Sequence, residues 1–220
     1  MSTESNAAIL VVIPAYNEAA TITTAVSNAK CVGDVLVVDD GSSDNTAQIA
    51  CAAGAKVISL PGNQGYEGAL SRGMQIAIER DYAFTLTMDA DGQHSLQSAQ
   101  VLIAAVKEAD IVIGVRQKKQ RAAEWVAGWI GLTLWGVPDP FSGLKLYRIA
   151  SCKRLGRFDS RLLVGAEMLV RAHRQGLTLA TVPIKTSERL DAPRFGSTLR
   201  ANFRIVRAIF LMIAISWGML

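Results

Sequence analysis

Short apolar runs alternate with longer stretches of mixed character through the first half of this chain. Residues 9–13, 35–38, 56–60, 84–88 and 111–114 are compact hydrophobic runs rich in Val and Ile, the pattern of strands buried on both faces. Between them, residues 18–30, 45–53, 66–80 and 96–107 read as helices. Asp44 ahead of Asn45 and Ser95 ahead of Leu96 supply capping oxygens at two of their starts. Strand–helix alternation at this spacing predicts an α/β fold, a mostly parallel central sheet with helices on both faces. Ligands of such sheets bind beyond the carboxyl ends of the strands, so that rim is where chemistry is expected.

After Gly114 the rhythm changes. A basic segment, 116–121, leads into a helical pattern over 122–136 that carries Trp125, Trp129 and Trp135. A stretch with Pro and Gly, 137–143, precedes a strand at 144–147, a helix around 165–174 and a strand at 178–182. A polar loop, 185–196, then gives way to an amphipathic segment over 197–220. There is no repeat, low-complexity tract or linker, so the expectation is one domain, 1–196, with an amphipathic helical extension, 197–220.

Composition narrows this picture only a little. Half of the 220 residues are hydrophobic and 19% are charged, as in a packed globular chain. The formal net charge of +4 is too small to define a partner, and the late arginines come with no nucleic-acid-binding motif, so no nucleic acid is expected. Cys31, Cys51 and Cys152 lie far apart, without metal-ligand spacing, and an odd count with no secretory leader points to a reducing compartment.

Where the charges sit is more informative. The first strand runs into Pro14-Ala15-Tyr16-Asn17-Glu18, the second into Asp39-Asp40-Gly41-Ser42-Ser43-Asp44, and the fourth into Asp89-Ala90-Asp91-Gly92-Gln93-His94. Any one of these clusters is ordinary turn and capping chemistry. Three at successive strand ends bring several carboxylates to one rim, where they repel unless a cation or hydrogen-bonding ligand sits among them. Asp89 and Asp91, one residue apart, can both present oxygens to a hard cation, Mg²⁺ or Mn²⁺, which would neutralise charge on a departing diphosphate.

The segments VVIPAYNE, VVDDGSSDNT, NQGYEGAL and MDADGQH, followed by DPFSGLKLYR, closely resemble the family 2 glycosyltransferases of the GT-A fold, in particular their dolichyl-phosphate mannose synthase-like branch. The resemblance covers about residues 9–200 and implies transfer of a sugar, with inversion, from a GDP- or UDP-linked donor. By the same resemblance Pro14, Tyr16 and Glu18 line the nucleotide pocket, Asp40 holds the base or ribose with Asp39 beside it, and Asp89, Ala90 and Asp91 form the metal-binding DxD element. Gln93 aligns with a third metal-side ligand, and Arg116 with a residue near the donor phosphates.

For the acceptor, the resemblance singles out Asp139, held between Pro138 and Pro140, and Glu167. Many relatives acting on hydroxyl acceptors carry an adjacent Glu-Asp pair where this chain has Glu167-Met168, which leans toward a polyprenyl phosphate, an acceptor that needs no base. Transfer to a hydroxyl of a glycolipid or polysaccharide precursor, with Glu167 or Asp139 as base, is the alternative. Arg194 and Arg200 match the branch's phosphate-binding loop loosely. The glycines at 62, 65 and 68 have the wrong spacing for a dinucleotide fingerprint, and His94, within reach of the metal or the acceptor, reads more simply as a polar turn residue. A nucleotidyltransferase and a receiver-type signalling domain are the distant rivals. Against the second, the acidic pair here follows strand two rather than strand one.

Arg200, Arg204 and Arg207 share one helical face ahead of an apolar stretch and Trp217, a pattern suited to a membrane interface rather than a full span. The competing expectation is that this helix and the one bearing Trp125 and Trp129 pack on the core or within a homo-oligomer. With a lipid-linked acceptor, the chain is expected in the cytoplasm, peripheral on the cytosolic face of a membrane.

Overall fold

The structure, a computed structural model, describes residues 8–119, 121–156, 158, 163, 165–187 and 198–219. The order is β1 (Ile9–Ala15), α1 (Ile22–Lys30), β2 (Asp34–Asp39), α2 (Thr46–Ala52), β3 (Lys56–Ser59), α3 (Gly65–Glu79), β4 (Phe84–Thr87), α4 (Leu96–Ala105), β5 (Ile111–Arg116), α5 (Ala122–Trp135), β6 (Lys145–Arg148), α6 (Ile149–Leu155), α7 (Glu167–Arg174), β7 (Leu179–Ile184) and α8 (Thr198–Ser216). Seven strands form one sheet in the order β3-β2-β1-β4-β6-β5-β7. β6 runs antiparallel between β4 and β5, and the other pairings are parallel. The expected mostly parallel α/β architecture is the one observed.

Both faces of the central strands are buried, which is why they read as unbroken apolar runs. On β1, Leu10 and Val12 enter the core with α3, α7 and α8, whereas Val11 and Ile13 enter the opposite core with α1 and α4. The helices supply matching stripes: α1 buries Ile22, Ala25, Val26 and Ala29, the i, i+3, i+4, i+7 set of a single face. Truncating a fully buried residue such as Leu10 to Ala would cost about 2–5 kcal/mol.

Some boundaries differ from the sequence pattern. Residues 18–21 form a turn, with the amides of Thr21 and Ile22 both on the Glu18 carbonyl, so α1 begins later than the apolar periodicity predicts. Ser95 caps α4 as expected, accepting from the Ser98 amide. Asn45 rather than Asp44 occupies the N-cap of α2, yet Asp44 Oδ1 still accepts the Thr46 amide at 3.0 Å. α6 was not anticipated, being one short helix without a capping side chain.

α8 completes the core. Ala208, Met212 and Ile215 belong to the larger buried cluster, and Ile205 and Ile209 pack on Ala123 and Ala127 of α5. The Trp135 indole N–H donates to Ser216 Oγ at 3.2 Å, so α5 and α8 lie side by side, pointing the same way.

The sheet opens at one rim. Pairing between β1 and β4 ends at Val12–Thr87, whereas β1 stays paired with β2 as far as Ala15–Asp39. Pro14, which has no N–H to offer, falls just where the β4 side of the ladder has stopped. The strands on either side of that split carry the polar clusters, as expected of a topological switch point.

Candidate active site

The split widens into a cleft of about 430 Å³. Pro14, Tyr16 and Glu18 wall it on the β1 side, and Asp89, Ala90, Asp91 and Gln93 on the β4 side. Asp40 lines it from the end of β2, Tyr66 from the first turn of α3, and Arg116 from the end of β5. Arg121 and Glu124 at the start of α5, Arg204 and Ile205 on α8, and Phe141 and Gly143 from the loop before β6 close the remaining side.

The β1 side is held by its neighbour. Asn17, in the left-handed region at φ +53°, donates its amide to Ser42 Oγ and accepts from the Ser43 amide at 2.8 Å. The Glu18 amide donates to Thr46 Oγ1 at 2.7 Å, and Glu18 Oε2 accepts from Thr21 Oγ1 at 2.7 Å. Asp40 closes the junction with α3: Oδ1 accepts the Gln64 amide at 2.6 Å and Oδ2 the Gly65 amide at 2.8 Å. A carboxylate on a helix N-terminus is well placed electrostatically. Burial nevertheless pushes the Asp40 carboxyl above its ordinary value, with Asp39 and Glu67 adding to the rise and the two amides opposing it. Asp39 is turned elsewhere: its Oδ1 accepts the Ser42 amide at 3.2 Å, and it is not part of the cleft wall.

On the β4 side Asp89 is gripped at both oxygens. Tyr66 donates its hydroxyl to Oδ1 at 3.0 Å, and His94 Nε2 stands 3.3 Å from Oδ2. Burial alone would raise this carboxyl; the His94 contact, the Tyr66 hydroxyl and the charge of Arg116 together hold it below its ordinary value. Burial and the Asp89 charge push the Tyr66 phenol well up, so it stays a donor. A third of the Asp89 side chain (33%) remains exposed. Gly143 is what makes this fit, because a Cβ there would fall 2.0 Å from Asp89 Oδ2. Asp91 Oδ1 accepts the Gln93 amide at 3.1 Å across a turn that Gly92 makes at φ +73°. Gln93 Nε2 donates to the Ser187 carbonyl at 3.1 Å.

In the same cleft, near enough for its charge to act on Asp89, stands a basic group with its own counter-charges. Asp139 accepts from Arg116 three times: from its amide at 3.1 Å, from Nε at 2.8 Å and from Nη2 at 2.9 Å. Glu124 lies between two arginines, 3.5 Å from Arg116 Nη2 and 3.1 Å from Arg121 Nη1. Burial works to lower the Arg116 guanidinium's proton affinity, and Asp139, Glu124 and Asp89 more than reverse it, so the group is permanently cationic.

Nine residues singled out from the sequence therefore face one cleft: Pro14, Tyr16, Glu18, Asp40, Asp89, Ala90, Asp91, Gln93 and Arg116. The two candidate bases do not. Asp139 is buried behind the cleft on Arg116, and Glu167 is wholly buried with Oε1 on Arg171 Nε at 2.8 Å and Nη2 at 2.7 Å. Arg194 lies outside the described residues, and of Arg200 only its backbone place in α8 is described. Tyr66, Arg121, Glu124, Phe141 and Gly143 are site residues not singled out from the sequence, and His94 and Arg204, read there as a turn residue and as part of a membrane-facing set, join the site. Tyr66 and Glu124 look like ordinary first-turn helix residues; only the fold brings them to the rim.

Comparison with known proteins bears on the family and the fold. The sequence profile described as glycosyl transferase family 2 matches residues 10–127. An uncharacterised protein of Methanocaldococcus jannaschii is 32% identical over 216 residues, covering 90% of this chain and 89% of its own. The undecaprenyl-phosphate mannosyltransferase of Micrococcus luteus is 30% identical over 207 residues, covering 82% of this chain and 84% of its own. Among solved structures, glucosyl-3-phosphoglycerate synthase from Mycobacterium tuberculosis, in complex with Mn²⁺, UDP and glucosyl-3-phosphoglycerate, superposes with a TM-score of 0.78 at 22% identity, covering 96% of this chain and 80% of that one.

Proposed function

This chain belongs to glycosyl transferase family 2, in its dolichyl-phosphate mannose synthase-like branch, and from that footing we propose that it transfers a sugar, with inversion, from a UDP- or GDP-linked donor to a membrane-borne polyprenyl phosphate. The observation that carries this reading is the pairing of Asp89 and Asp91 with Arg116 and Arg121 around one cleft at the split of the sheet. Carboxylates on one wall suit a cation, arginines on the other suit phosphate oxygens, and a nucleoside diphosphate sugar needs both.

The residues fit a hard divalent ion. Asp89 keeps part of its carboxylate open to the cleft, and Asp91 lines the same wall. Among the described residues no three His, Cys, Asp or Glu are gathered as a complete cage. Mg²⁺ and Mn²⁺ chemistry does not require one, since one or two carboxylates plus substrate phosphates suffice for Mg²⁺. Asp89 and Asp91, with Gln93 beside them, would hold the ion, which would supply positive charge to the departing diphosphate. That a structural neighbour from M. tuberculosis was solved with Mn²⁺ and UDP supports the use of a divalent ion with a nucleotide, though it speaks to no residue here. Pro14, Tyr16, Glu18 and Asp40 form the wall for the nucleoside, and Arg116 and Arg121 hold phosphate oxygens while the sugar changes hands.

The place of the two bases that the sequence offers bears on the acceptor. Asp139 and Glu167, the carboxylates offered to take a hydroxyl acceptor's proton, are both buried on arginines outside the cleft wall, which favours an acceptor that needs no base. A phosphate monoester, with its second pKa near 6, is already a nucleophile at neutral pH. The M. luteus relative is named for undecaprenyl phosphate, an acceptor of this type.

Placement at a membrane surface accords with α5 and α8. Trp125 and Trp129 on α5 are 60% and 70% exposed, Phe203 and Phe210 stand out from α8, and Trp217 is exposed just after it. α5 starts at the cleft, where Arg121 lines it, α8 reaches it through Arg204, and Lys119 lies 5.1 Å from the Trp125 ring. Aromatic side chains beside basic ones suit the headgroup region, and no described helix is long and apolar enough to cross a membrane.

Thermal unfolding with UDP or GDP tests the donor half of the reading. A nucleoside diphosphate with Mn²⁺ at 100 times its Kd should add about 2.7 kcal/mol of stability. Neither component alone should match that, and no response to any nucleoside diphosphate with metal would refute donor binding.

A further inference from the structure

We propose that Asp139 is a positioning residue, which holds the Arg116 guanidinium in one orientation so that its remaining N–H groups meet the phosphates in the cleft. The proposal rests on the donor-transfer reading above and replaces the role of base that the sequence offers for Asp139.

A guanidinium has five N–H groups. Asp139 takes Nε and one hydrogen of Nη2, at 2.8 and 2.9 Å, in a two-pronged fork. Glu124 Oε2 lies 3.5 Å from the same Nη2. Nη1, with two hydrogens, has no partner among the described residues, and Arg116 lines the cleft. The fork thus determines which edge of the guanidinium is left for an anion. Asp139 Oδ2 also accepts the Arg116 backbone amide at 3.1 Å, tying down the end of β5 together with its side chain.

Asp139 is itself fixed. It stands between Pro138 and Pro140, it is 2% exposed, and its carbonyl accepts the Ser142 amide. The same short loop ends at Gly143, against the carboxylate of Asp89. Residues 139–143 therefore brace both walls of the cleft, gripping its arginine at one end and bordering its metal-side carboxylate at the other. A Lys at 116 could not reproduce this arrangement, because an ammonium makes no planar fork.

A double-mutant cycle on the full chain tests the idea. Arg116→Gln, Asp139→Asn and the double variant are compared for kcat and KM with nucleotide sugar, Mn²⁺ and polyprenyl phosphate in detergent micelles. If Asp139 acts through Arg116, Asp139→Asn should lose on the order of 10²-fold in kcat/KM, as small misplacements do. The double variant should fall no more than about twofold below Arg116→Gln, since effects through one group are not additive. The pH profile of kcat should keep its acidic limb. Multiplying losses, or disappearance of that limb in Asp139→Asn, would overturn the proposal. Asp139→Glu keeps the charge should the amide variant not fold, and unchanged kinetics in it would also overturn the proposal. The same cycle run on binding of inorganic pyrophosphate needs no turnover. An inactive parent chain that still shows the coupling refutes the transfer reaction, whereas independent losses in binding refute the positioning role.

Discussion

Asp89 shows how much of this site depends on single contacts. Tyr66 and His94 each hold one of its oxygens, and the missing side chain at 143 leaves room for it. Gly143→Ala would put a methyl group 2.0 Å from Oδ2, so the carboxylate must move. We expect a correctly folded protein by circular dichroism whose metal-dependent turnover is lower by about 10²-fold, the scale of a small misplacement in a catalytic site. Wild-type turnover at limiting Mn²⁺ would show that Asp89 does not hold the ion. At this scale the sequence was legible where chemistry dictates residue type. Carboxylates at three successive strand ends are more than turn and capping chemistry requires, so Asp40, Asp89 and Asp91 stood out, and all three reach the cleft. Asp40 is also a structural residue, with both oxygens on backbone amides, which spacing could not reveal. Asp139 and Glu167 were harder, because a buried carboxylate paired to Arg and a catalytic base look alike until the partner is seen.

Among the elements, α8 follows the competing expectation of packing on the core. Its basic and apolar pattern sets it apart as an extension, yet Ala208, Met212 and Ile215 are buried in the main core and Ile205 lines the cleft. Removing residues 208–220 would therefore uncover core rather than merely detach a surface helix. Substitutions on the outer faces isolate surface contact instead. Trp125→Glu with Trp129→Glu should leave stability within about 0.5 kcal/mol, as for exposed positions. Sedimentation with anionic vesicles should fall at least severalfold, while donor hydrolysis is spared. Unchanged vesicle binding would mean that membrane contact lies elsewhere, and size-exclusion chromatography would then show whether a second copy covers the face.

Asp110, beside β5, makes the opposite kind of contribution, to the far end of the sheet. Burial raises its carboxyl, but the Ser151 hydroxyl at 2.5 Å, the Thr178 amide at 2.9 Å and the charges of Arg148 and Arg154 bring it below its ordinary value. A carboxyl depressed in the folded state stabilises fully above its unfolded value, about 3.9, and loses that contribution as pH falls through the folded value. Asp110→Asn should accordingly cost about 1–3 kcal/mol at pH 7 in urea unfolding. The deficit should shrink as the parent carboxyl is protonated in acid; a deficit that grows there would contradict the assignment.

For the whole molecule, the alternation of strands and helices was enough to give a mostly parallel sheet, because burial on both faces imposes apolar runs that few other arrangements produce. The insertion of antiparallel β6 between β4 and β5 was not legible, since strand order is set by contacts far apart in sequence. That insertion brings the 139–143 loop against both Arg116 and Asp89, and so completes the cleft. The most direct test of the account is transfer of labelled sugar from a panel of UDP- and GDP-sugars to polyprenyl phosphate, with Mn²⁺ or with EDTA, and with the corresponding polyprenol as control. The account predicts label in the lipid phosphate from at least one donor, lost with EDTA and absent with the polyprenol. Transfer that survives EDTA, transfer to the alcohol alone, or no transfer from any donor would contradict it.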